Sequence, residues 1–258
     1  MPEVLLAALA GLGAASTLVV GAAIGWFTRL PASLVAGVMA FGAGTLISTL
    51  AFELVGEAEK TGGLISTLVG FLLGAALFVS SDLLLARHGA RSRKRSVALQ
   101  SEPGRHRGAS GAAGSSFGIA IAIGALLDGV PESLVLGLSF ADSGAVSVPI
   151  LVAVAVSNLP EGLGSAAGMK HEGRSARYVF GLWGAIALAS GAAAALGFAL
   201  LAGAPAEMVA VVTAVAAGAI LAMITNTMIP EAFAADRSLT GLWASLGFAL
   251  SFALSQLN

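Results

Sequence analysis

Two carboxylates stand where a carboxylate is costly. Phe117 to Phe140 reads FGIAIAIGALLDGVPESLVLGLSF, an apolar run of crossing length, and near its middle it carries Asp128 and Glu132 with Pro131 between them. An acid at the centre of a spanning helix costs roughly +2.5 to +3.5 kcal/mol even on lenient insertion scales, so both belong against protein or water rather than lipid. Positions i and i+4 share one helical face, so the two carboxylates stack one turn apart and can close on a single cation. Pro131 has no N–H, which frees the carbonyl of Leu127 as a third oxygen. The next apolar segment repeats the arrangement: Ser157-Asn158-Leu159-Pro160-Glu161-Gly162-Leu163 aligns on Asp128-Gly129-Val130-Pro131-Glu132-Ser133-Leu134 at an offset of 29. Glu161 answers Glu132, Pro160 frees the carbonyl of Val156, and Asn158 has an amide oxygen to offer, or an amide to spend on a neighbouring helix. Three acids in one dry pocket repel one another, and no intramembrane Lys or Arg is there to neutralise them. A divalent cation, or a proton exchanged for it, relieves that repulsion. The plainer alternative keeps the acids protonated and hydrogen-bonded to nearby Ser and Thr.

Other polar residues flank this centre. Glu53 and Glu57 fall near one end of the second apolar segment, where they either attract cations at an entrance or are simply solvated. Glu231 falls near the opposite end of the seventh. Thr225, Asn226 and Thr227 precede Pro230, which frees the carbonyl of Asn226, so they either line a path or pack. Asp82 lies near a basic stretch and reads as a partner for Arg87.

Positioning such a centre takes a bundle, and the composition supplies one. Apolar residues make up 57% of the 258 and charged residues only 10%, far below the soluble norm of about 25%. The 34 glycines let helices approach closely in lipid. There is no Cys, and the three His fall in polar loops, so a metal within the membrane has only oxygen to bind. Eight apolar segments of crossing length span roughly 3–27, 32–56, 63–86, 117–140, 146–168, 178–202, 207–232 and 239–257. They predict an all-α membrane protein of eight transmembrane helices, one polytopic domain over 1–258, with a retained first span and a flexible basic loop at 87–116. Placing that loop in the cytoplasm puts 12 of the 13 Lys and Arg inside, with Lys60 alone outside, and leaves both termini outside. The loop itself is then a topology determinant beside anionic lipid. Segment two, Ala43-Gly44 through Glu57-Ala58, aligns with segment seven, Ala217-Gly218 through Glu231-Ala232, at an offset of 174. Matched segments running in opposite directions imply a 3+2+3 inverted repeat around a midplane site.

On these residues the chain resembles the ZIP family of divalent metal transporters. The resemblance covers essentially the whole chain: eight spans, outside termini, a long loop after the third span, two successive Pro-Glu turns, and Met228 to Ala232 ending the seventh span. It implies a non-enzymatic carrier in the cell (inner or plasma) membrane that moves divalent cations of the Zn, Mn or Fe class into the cytoplasm, with a metal site drawn from Asp128, Glu132, Glu161 and Asn158. The expected partners are those cations and the lipid bilayer, with no nucleic acid and with a homodimer as a possible assembly. The motifs also depart from the family. Typical members read His-Asn-x-Pro-Glu-Gly in the fourth span, where this chain has Asp128-Gly129-Val130-Pro131-Glu132-Ser133. Ser157 and Asn158 stand where the fifth span commonly has His or Gln and an Asp, and the sixth span lacks the family's carboxylate. One metal site is then retained in altered form and the second is missing, and carboxylate in place of imidazole shifts preference from Zn²⁺ towards harder ions. The alternative is a homologue of the same fold that has lost transport and acts as a metal sensor or structural membrane protein. An intramembrane aspartyl protease would need a second Asp facing Asp128 at its depth, and none is present.

Overall fold

The computed structural model describes residues 3–87, 129–140, 146–171 and 173–256. Among them every regular element is a helix, as hydrocarbon requires of a chain whose backbone must satisfy its own hydrogen bonds. In chain order these are α1 (Glu3–Phe27), α2 (Ala32–Thr49), α3 (Gly56–Arg87), α4 (Gly129–Phe140), α5 (Val148–His171), α6 (Ala176–Leu201), α7 (Ala206–Met223), α8 (Ile229–Ala235) and α9 (Thr240–Ser255). A π-helical turn, Leu50–Val55, joins α2 to α3, and a second, Ile224–Met228, joins α7 to α8. Five stretches are long and apolar enough to cross a membrane: Glu3–Phe27, Ala32–Leu84, Val148–Lys170, Ala176–Leu201 and Ala206–Ala235. α4 and α9 are shorter apolar helices, and the expected 117–140 segment is described only from Gly129. The 87–116 loop lies outside the described residues but for Arg87.

A loop was expected between the second and third segments, yet residues 57–62 are helical and the break falls at Gly63. Its φ of 76° and ψ of 165° suit a residue without Cβ. The chain doubles back there. Ala58 clusters with Ala210 and Ala214, Gly62 meets Ala210, and then Gly70 and Gly74 climb α7 past Ala214 to Val215.

Small residues set the remaining directions. α5 runs parallel to α1, with Asn158 bonded to the Ala14 carbonyl, Gly162 against Leu18 and Gly25 against Leu163. α6 runs antiparallel to α1, with Phe180 on Trp26 and Phe27 at one end and Ala194 on Gly11 at the other. α9 lies parallel to α2, tied by Thr49 and Ser251 hydroxyls 3.0 Å apart and by Phe52 on Phe252. The largest apolar cluster, containing Leu46, Leu50, Leu54, Val135, Ile150, Val154 and Ile220, sits where α2, α4, α5 and α7 meet.

α2 and α7 are built alike. Each follows a proline (Pro31, Pro205), each runs 18 residues, and each then changes to π winding, at Leu50 and at Ile224. Both pairs of positions are 174 apart, the offset read from the sequence. Their partners also match: Gly44 and Gly247 seat against the carbonyls of Ala244 and Phe41, as Gly218 and Gly74 seat against those of Phe71 and Val215.

Candidate functional site

α4 and α5 form an antiparallel ladder. The Ser147 amide lies 3.5 Å from Ser139 Oγ, Val135 lies beside Ile150 and Val154, and Ser157 Oγ lies 3.4 Å from Glu132 Oε1. The Ser157 hydroxyl also sits 3.0 Å from the Val154 carbonyl and has one proton to donate. Glu132 is only 2% exposed and Ser157 4%. Burial at that depth demands compensation, which a hydrogen bond to the carboxyl oxygen begins to supply. Glu161 follows Ser157 by one turn on the same face of α5 and is half-buried.

Of the four candidate ligands, the structure brings Glu132 against α5 through Ser157, and Asp128 lies outside the described residues. Asn158 is buried, and its Nδ2 donates to the Ala14 carbonyl at 3.4 Å, so the helix-to-helix role is the one observed. Among the described residues no three of His, Asp and Glu are grouped closely enough to hold a metal ion.

A cavity of about 430 Å³ opens at the end of the bundle where α2 passes into α3. Glu53 and Glu57 line it, joined by Ser139, Ser147, Thr213 and Gln256. Ser147 donates to Glu53 at 3.4 Å, and Lys60 pairs with Glu57 at 3.6 Å on the surface. The cavity floor includes Leu54, Val135 and Ile150. The same three side chains, with Leu50, also bound a void of about 10 Å³ that reaches Glu132. One layer of apolar side chains therefore separates a cavity bearing two carboxylates from a buried third. Nothing in the sequence singles out Leu54, Val135 or Ile150, which are ordinary apolar residues in apolar segments. Ser139 and Ser147, polar positions at the ends of such segments, were the available signal for the cavity wall.

The second π turn holds Thr225, Asn226 and Thr227. The Thr225 hydroxyl bonds back to the Leu221 and Ala222 carbonyls at 2.9 and 3.1 Å, while Asn226, Thr227 and Glu231 are half-buried. Pro230 stands next to this turn and withholds an amide from Asn226, a local reason for the altered winding. Asp82 is half-buried, and the Arg87 side chain expected to meet it is not described.

Set against known proteins, the chain matches no family model and no curated protein.

Proposed function

We propose that this chain is a ZIP-like carrier that moves divalent metal cations across the membrane into the cytoplasm through a carboxylate site on α4 and α5. One observation carries the reading: Glu132, an almost wholly buried carboxylate, stands one side-chain layer behind a cavity that holds Glu53 and Glu57. A carboxylate so placed has a use if cations reach it in turn from either side. Glu132, Glu161 and Asp128 supply the charge, with Asp128 one helical turn before Glu132 in sequence. In this reading Leu54, Val135 and Ile150 close the outer path and helix groups rock about the site to open it.

The matching of α2 with α7 supports a 3+2+3 inverted repeat. Eight crossings follow if Ala32–Leu84 counts twice about Gly63 and the segments that contain α4 and α9 cross as well. Both termini are then outside and the basic loop cytoplasmic, in the cell membrane.

The test is ion-resolved uptake into proteoliposomes. Glu132→Gln and Glu161→Gln should each reduce Zn²⁺, Mn²⁺ and Fe²⁺ uptake to background while membrane insertion persists; wild-type uptake in both would sink the central site. An oxygen-only site should discriminate weakly among these ions, and Asp128→His should shift relative transport towards Zn²⁺. A wild type that strongly prefers Zn²⁺, with no further gain in the His variant, would overturn the ligand argument.

The alternative is a metal sensor or structural protein of the same fold that no longer transports. It predicts metal binding to purified protein with no uptake by the wild type.

A further inference from the structure

The turn between α5 and α6 holds cations in a way that membrane topology alone does not require. Gly173, at φ 80°, turns the chain, and the bonds from the Gly173 amide to the Lys170 carbonyl and from the Arg174 amide to the Met169 carbonyl, both 3.0 Å, fix it. Each of its two cations is seated on an aromatic ring. Lys170 Nζ donates to the Trp26 carbonyl at the end of α1 and lies 5.3 Å from the Trp26 ring centre. The Arg174 guanidinium lies 5.2 Å from the Tyr178 ring centre, with Nη2 covered and without an acceptor. Arg177 and Arg29 are exposed on neighbouring segments. Among the described residues none of these four meets a carboxylate, the one ion pair being Lys60 with Glu57. Phe180 stacks on Phe27 and meets Trp26 edge-on, and Phe27 is 75% exposed, the kind of aromatic cluster that flanks spanning helices at an interface.

The sorting of basic residues between membrane faces asks only for charge. It does not ask that two cations be held beside rings at either end of a five-residue turn. Groups already held in place lose little freedom on binding, and a guanidinium beside a ring keeps its other N–H donors for an oxyanion. We propose that this turn binds the phosphate of an anionic phospholipid headgroup, with Lys170 and Arg174 as the primary contacts, Arg177 and Arg29 around them, and the lipid's chains along the exposed flank of α1 and α6. A bound lipid would tie α1, which takes the Asn158 amide, to α5, which carries Glu161.

The full chain in phosphatidylcholine vesicles, with and without phosphatidylglycerol, tests this, read by lipid retained in native mass spectrometry and by the thermal unfolding midpoint. Phosphatidylglycerol should be retained over phosphatidylcholine and should raise the midpoint. Each cation removed should lower retention about fivefold, so Lys170→Gln with Arg174→Gln should bring it down about 25-fold. Arg174→Lys, which keeps the charge and so the fold's electrostatics, should still lose part of the preference because an ammonium lacks the forked donors of a guanidinium. Neutralising Arg91, Arg93, Lys94 and Arg95 in the long loop should leave retention in place. The proposal is overturned if the double variant retains phosphatidylglycerol like the wild type, if the loop variant loses it equally, or if inorganic phosphate alone reproduces the midpoint shift.

Discussion

The turns Pro131-Glu132-Ser133 and Pro160-Glu161-Gly162 differ only in their last residue, yet they sit in different surroundings. Around the first, Glu132 and Ser133 are both 2% exposed, and the acid faces a hydroxyl of α5. Around the second, Gly162 is pressed onto the Leu18 carbonyl, so α5 rides on α1, while Glu161, one residue earlier and about 100° around the helix, is half-buried. A missing Cβ thus decides which neighbour the helix takes, and the neighbour decides how deeply the acid lies. Repeats of one motif give chemically unlike carboxylates when one copy must also serve as a packing face.

The comparison breaks first at Gly162. A Cβ there would overlap backbone rather than a yielding side chain, so Gly162→Val should cost about 3 kcal/mol, the upper end of the usual overpacking range, seen as lost folded protein in detergent or a lowered unfolding midpoint. Gly184→Ala, where a Cβ meets open space within α6, should leave the midpoint unlowered or raise it slightly, since Ala is the better helix former. Equal effects would mean the glycine contact does not organise α5. Next in size is Ser157→Ala, which removes the hydroxyl facing Glu132 and should weaken cation affinity roughly 10-fold, within the range for partners that orient a ligand, in titrations of the purified protein. Glu57→Gln should matter far less, within about 1 kcal/mol of cation binding, because its pairing with Lys60 is exposed. The smallest effect is expected at Asp236, beyond the spans. The Ser238 hydroxyl, at 2.8 Å, and then the Ser238 amide, at 3.0 Å, hold its carboxyl below the usual carboxylate range. A lowered folded value stabilises above the unfolded value and fades as pH falls through the folded one. Ser238→Ala should therefore lower the midpoint slightly at neutral pH, with the gap closing below about pH 4. A gap that widens in acid would reverse the assignment.

Much of this architecture was legible because in lipid the informative residues are the exceptions. The Pro-Glu turns, the 174-residue offset and the close-packing glycines stand out against an apolar background, and the structure places matched prolines, π turns and glycine contacts on that offset. What could not be read was facing. A helix apolar all round gives no stripe to say which side meets protein, so the floor formed by Leu54, Val135 and Ile150 was invisible, as was the turning of Asn158 onto α1. The π turns were hidden for a related reason: changed winding is a response to packing, and only Pro230 left a local trace. The loop expected near 57–62 was misjudged because its Glu and Lys look like a connection, whereas charges on the last turns of a helix reaching water serve as well.

The void between the apolar floor and Glu132, about 10 Å³, has room for at most about one water molecule. A proton relay needs a continuous file of waters, and a single molecule cannot make one. In this conformation the floor should therefore block proton passage from the cavity of Glu53 and Glu57 to Glu132. Leu54→Ala should be detected as a proton leak before any change in metal uptake is measurable, and a wild type that already conducts would show that the floor does not hold.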